Sequence, residues 1–94
     1  MKLKPIKYPT LSAVKKYGVN RLIIQSPAGW IETGIADLSS GTKCIVVAHK
    51  KENDWQMHRT YFPMTDAGYT DAQNNFEKLT LDYFKQLVGA WIEE

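Results

Sequence analysis

The soft metal ligands of this chain are Cys44, His49 and His58, one cysteine and two histidines in 94 residues. Cys44 and His49 stand five apart in one β-branched run, so a strand would point them to opposite faces and defeat joint coordination. A structural zinc site also needs four ligands at tighter spacing. Cys44 therefore reads as a small core hydrophobe. His58, next to Arg59, reads as a strand residue with no carboxylate set beside it by the sequence. Gly29, Gly34 and Gly41 fall at hairpin or bend positions, spaced unlike a phosphate-cradling loop. We expect no catalytic group, no metal and no cofactor. The chemistry left is that of binding.

Cations and indoles supply it. Arg21, Lys43, Lys50, Lys51, His58 and Arg59 offer positive charge, while Trp30 and Trp55 each follow a hairpin turn at a strand start. An exposed indole beside Lys or Arg suits nucleic acid, because the ring stacks on a base while the cation meets phosphate. The charge is also segregated: residues 1–51 carry net +7 and residues 52–94 net −5, within an overall +2. Such a split can steer an anionic partner to one side. Two readings follow. The leading one is a non-enzymatic nucleic-acid-binding module acting through a basic and aromatic sheet face, to which the second is the alternative. The other is a protein-interaction module, a small accessory or inhibitor protein, acting through an open sheet face or an edge strand. A sheet edge would also serve to pair two copies of the chain.

Length and composition bound these readings. Ninety-four residues make one small domain, spanning 1–94, and 44% hydrophobic with 23% charged residues is the balance of a folded chain. The longest uncharged stretch, Leu22 to Ile31, is interrupted by Ser26-Pro27-Ala28-Gly29 and is too short to span a bilayer. The beginning, Met1-Lys2-Leu3-Lys4-Pro5-Ile6-Lys7, has no apolar block of the signal-peptide kind. A lone cysteine fits a reducing compartment, and the expectation is a cytoplasmic protein.

The elements that must position the binding residues can be read along the chain. Residues 1–9, with Pro5 and Pro9, read as an extended arm. Thr10 can cap a short helix over Leu11–Tyr17 that Gly18 stops, with Lys15 and Lys16 favoured in its last turn. Strands are expected over Arg21–Gln25, Trp30–Leu38 (with a bulge or bend at Gly34), Lys43–His49 and Trp55–Phe62. Short loops make successive strands antiparallel neighbours. Alternation along the last strand puts His58, Thr60 and Phe62 toward the core, and Trp55, Met57, Arg59 and Tyr61 on the opposite face. That face is a contact surface unless the amino-terminal arm and first helix fold over it. After Pro63 the period becomes 3.6: Thr70 and Gln73 fit a capping box, and Ala72, Phe76, Leu79, Tyr83, Leu87 and Trp91 form a stripe widened by Phe84 and Val88. This predicts a helix over Asp71–Ile92.

The segment from His58 to Ala72 resembles the end of the Apetala/ethylene-response-factor DNA-binding domain, and is similar to the arm-binding domains of tyrosine recombinases. Phe62, Gly68 and Ala72 match that spacing, and Gly18-Val19, Arg21 and Trp30 stand roughly where its first strands begin. The resemblance implies three antiparallel strands entering the DNA major groove with a helix packed behind them. From the residues themselves, the expected fold is α+β: a four-stranded antiparallel meander, a short amino-terminal helix, and a long carboxy-terminal amphipathic helix packed on one sheet face.

Overall fold

The computed structural model describes residues 3–6, 21–83 and 86–93. Its strands are β1 (Leu3–Pro5), β2 (Arg21–Ser26), β3 (Gly29–Asp37), β4 (Lys43–Lys51), β5 (His58–Pro63) and β6 (Gly89–Glu93), with helix α1 (Asp66–Tyr83) between the last two. They form one antiparallel sheet in the order β1-β6-β2-β3-β4-β5. The meander β2–β5 is present as a four-stranded unit, but the sheet has six strands. The expectation of four strands and a helix running to Ile92 is corrected on both counts. The short helix expected over 11–17, its Thr10 cap and its Gly18 stop lie outside the described residues, as does Phe84.

The helix ends early for a physical reason. Ala72, Phe76, Leu79 and Tyr83 are buried at the expected spacing, but Leu87 and Val88 are exposed. From Gly89 onward the burial alternates with period 2, Ala90 and Ile92 turning inward. As a strand, β6 pairs with β2 on one side and β1 on the other, so backbone groups on both its edges enter ladders. A continued helix would leave the free edge of β2 without a partner. Leu3–Pro5, expected as an extended arm, becomes the edge strand that flanks β6. Gly34 makes no bulge: it stands in unbroken register between Arg21 and Val46.

The start of the helix also differs. Thr65, not Thr70, is the cap: its hydroxyl accepts the Gly68 N–H at 3.0 Å. The Thr70 hydroxyl instead donates back to the Asp66 carbonyl at 3.0 Å. Gly68 is required here because a Cβ would strike the Pro63 carbonyl oxygen. Four antiparallel steps separate β5 from β6, so the two run parallel, and α1 is the crossover such strands need.

One sheet face is covered. Leu22, Ile24, Ile31, Ile45, Val47, Ala90 and Ile92 pack with Ala72, Phe76, Leu79 and Tyr83 of α1 into a single core, to which Phe62 and Tyr69 add. Each fully buried Leu, Ile or Val contributes about 1.5–3 kcal/mol. At the far end Gly29 takes φ of 143°, and a Cβ there would strike the Lys50 carbonyl oxygen, so the β2–β3 turn lies directly against β4. Among the described residues no helix is long and apolar enough to cross a membrane.

Urea denaturation checks where the helix begins. Thr65→Ala should cost about 1 kcal/mol, as a lost cap does, whereas Thr70→Ala should stay within about 0.5 kcal/mol.

Candidate interaction surface

The strand register places a second set of side chains on the face away from α1. One row across the sheet reads Pro5, Trp91, Ile23, Glu32, Ala48, Arg59, and the next reads Leu3, Glu93, Arg21, Gly34, Val46, Tyr61. Beyond them lie Gln25, Trp30 and Lys50 at one end, and Ala36, Cys44 and Pro63 at the other. Ile23, Trp30, Val46 and Trp91 are half-buried, while Arg59 and Tyr61 are exposed. Among the described residues no element packs over this face. Residues 7–20, which the sequence offered as a cover for it, lie outside them.

Most charges on this face are already engaged. Arg21 Nε stands 3.4 Å from Glu93 Oε2, a cross-strand pair in which the Glu93 side chain is buried and Arg21 is 41% exposed. The second carboxylate oxygen, Glu93 Oε1, is buried with no hydrogen-bond partner, so Arg21 is the charge that compensates it. Lys50 Nζ lies 4.8 Å from the centre of the Trp30 ring, a cation–π contact that leaves the buried indole N–H unbonded.

The structure divides the sequence-predicted contact set. Arg21, Trp30, Lys50 and Arg59 share the face away from α1. Lys43 opens β4 with Asp37 at 4.0 Å, both exposed, in register with the α1 side. Lys51 ends β4 beside Ala28, Asp82 and Tyr83, lining a cleft of about 470 Å³. Trp55 precedes β5 rather than entering it and is 85% exposed. His58 sits on the α1 side of the sheet. Sequence reasoning missed Trp91, because a helical stripe was extended through it. The alternation of Gly89 to Glu93 was the available signal.

His58 belongs to a cluster the sequence did not reveal. It faces His49 across the β4–β5 ladder, and the two rings stack with centroids 5.2 Å apart. His58 Nε2 donates to Asp54 Oδ2 at 3.2 Å, so a carboxylate does stand beside it. Asp54 is held by its other oxygen, which accepts the Gln56 N–H at 3.1 Å. On the far side His49 Nδ1 lies 2.8 Å from the Tyr83 hydroxyl. Burial, then the neighbouring His58 and Lys51, hold the His49 pKa below its ordinary 6.5, with Asp54 opposing. The Gln56 N–H and His58 hold the Asp54 carboxyl below its usual range, and burial raises Tyr83. Stacked rings present faces to one another rather than converging lone pairs, and among the described residues no group of three ligands could hold a metal. The cluster pins the β4–β5 hairpin to the end of α1.

Comparison with protein-family models, with curated proteins and with solved structures gave no match. Phe62, Gly68 and Ala72, which carry the likeness to the DNA-binding domains, form the packed strand-to-helix junction: Phe62 half-buried, Gly68 against Pro63, Ala72 fully buried.

Two measurements follow. By chemical denaturation, Arg59→Glu should change stability by no more than about 1 kcal/mol. Arg21→Met should cost about 1–3 kcal/mol, because it strands the buried Glu93 carboxylate at a partly exposed site. The second concerns pH. Since His49 titrates lower in the folded chain, the unfolded chain binds its proton first, and stability is lost as pH falls through 6.5. His49→Gln should flatten the decline in Tm between about pH 7.5 and 5.

Proposed function

We propose that the chain is a non-enzymatic protein-interaction module that docks its partner on the sheet face away from α1. The observation that carries this reading is the set Trp30, Ile23, Trp91, Val46 and Tyr61 on the face away from α1, four of them half-buried and Tyr61 exposed, over which no described element packs. Interface centres are rich in Trp, Tyr and Arg and poor in unpaired charge, and this face has that composition. Its own charges, Arg21, Lys50 and Arg59 against Glu32 and Glu93, come to net +1, and Arg21 is committed to Glu93. Phosphate binding needs several uncommitted cations in one stripe. Here Lys43, Lys51 and His58 stand away from the stripe that Arg59 and Lys50 could begin, which favours protein over nucleic acid. The partner that fits is apolar at its centre and acidic where it meets Arg59 and Lys50.

A photo-crosslinking residue tests the face when placed at Gln25, exposed on the side away from α1, and at Leu81, 81% exposed on α1. In cells that make the protein, Gln25 should yield protease-sensitive adducts that vanish in an Arg59→Glu/Lys50→Glu background, and Leu81 should yield none. Fluorescence anisotropy with labelled mixed-sequence duplex should show no binding at moderate salt. Tight binding to the duplex that falls with a log–log salt slope near 0.9 per phosphate, and is lost with Arg59→Glu, would replace this reading by nucleic-acid recognition.

A further inference from the structure

The two edges of the sheet are built differently. β1 is three residues long and carries Lys4 and Pro5, both devices that keep an edge from pairing. β5 is twice that length, carries no lysine and no bulge, and keeps proline only at its last position, Pro63. His58, Arg59, Thr60 and Tyr61 are all exposed. Among the described residues, no backbone hydrogen bond outside the β4 ladder uses residues 58–62. A six-residue strand of this kind is a template for another strand.

We propose that β5 pairs antiparallel with β5 of a second copy, joining two sheets edge to edge about a two-fold axis at Thr60. The register follows from side-chain parity. Residues facing α1 (His58, Thr60, Phe62) must meet residues facing α1, so the axis passes through a residue rather than between two. Centring on Arg59 sets two like charges directly opposite, which is destabilising. Centring on Tyr61 sets Arg59 against Pro63 and leaves it no useful neighbour. Centring on Thr60 sets Arg59 opposite the second copy's Tyr61, twice over by symmetry, and His58 opposite Phe62. Each Arg59 then lies beside an aromatic ring, a favourable cross-strand pair. The same arrangement brings the amino end of one β5 to the carboxy end of the other. Trp55, 85% exposed, and Met64, 50% exposed, flank those ends and meet across the joint. Two apolar side chains that water contacts in a single copy thereby acquire a common cover.

Three experiments test this. Sedimentation across about 1–200 µM should show a shift from 10.8 kDa toward twice that mass. Tyr61→Lys, which sets lysine opposite Arg59, should abolish the shift. Adding Arg59→Glu to that variant should restore it, since lysine then faces glutamate. Circular dichroism confirms that each variant is folded. Cross-linking needs no disruptive change: antiparallel partners directly opposite have Cα atoms about 4.5–5.5 Å apart, within disulfide reach. Thr60→Cys should therefore form disulfide-linked dimers on mild oxidation, while Arg59→Cys, whose counterpart is Tyr61, should form at least tenfold fewer. A chain still at 10.8 kDa at the highest concentration, a dimer that survives Tyr61→Lys, or equal cross-linking at 59 and 60 would overturn the proposal.

Discussion

Leu22, Ile24, Ile31, Thr33 and Val47 are sealed completely from water, and every other feature of the molecule depends on that seal. They come from three adjacent strands and meet in register, Leu22 opposite Thr33 and Thr33 opposite Val47. The Thr33 hydroxyl escapes the cost of burial by donating to the Val46 carbonyl at 2.9 Å. Because side chains alternate, sealing this set sends Ile23, Trp30, Glu32 and Val46 to the other side. A single 18-residue helix then covers the inner set, while among the described residues no element packs over the outer set.

On the outer face, neighbouring side chains pair across the strands. Lys50 lies over Trp30, Arg21 reaches Glu93, and Pro5 stands opposite Trp91. At the other end of the molecule the stacked histidines serve a different purpose. They tie the β4–β5 hairpin to Tyr83, where α1 ends, and so fix the position of β5 relative to the core.

Much of this was legible in the residues. The β-branched runs of β2 and β4 and the turns at Gly29 and Gly41 defined the meander, because local propensity and tertiary context agree there. Ala72, Phe76, Leu79 and Tyr83 gave the buried side of α1. The carboxy-terminal strand was not legible as such. Leu87 and Trp91 continue the helical spacing by chance, and what overrides it is distant: the unpaired edges of β2 and β1 need a strand between them. Five residues of helix at the other end, Asp66 to Thr70, escape the sequence because Thr70 imitates a cap that Thr65 supplies. The contact set dispersed for a related reason. Lys43 and Lys51 stand at opposite ends of β4 on the α1 side, while alternation sends Arg59 to the other side, and the sequence alone did not fix the register. Asp54 reaches His58 only because a tight loop folds its carboxylate back through the Gln56 N–H.

The face away from α1 has Trp91 beside Ile23 only if residues 89–93 form a strand between β1 and β2. Nuclear Overhauser spectroscopy reads this directly from backbone protons. Cross-strand Hα–Hα contacts between residues 22–24 and 90–92, with Trp91 against Ile23, are expected. Helical contacts between residues three apart running unbroken from Tyr83 to Ile92 would contradict the sheet, and with it the surface on which the functional reading stands.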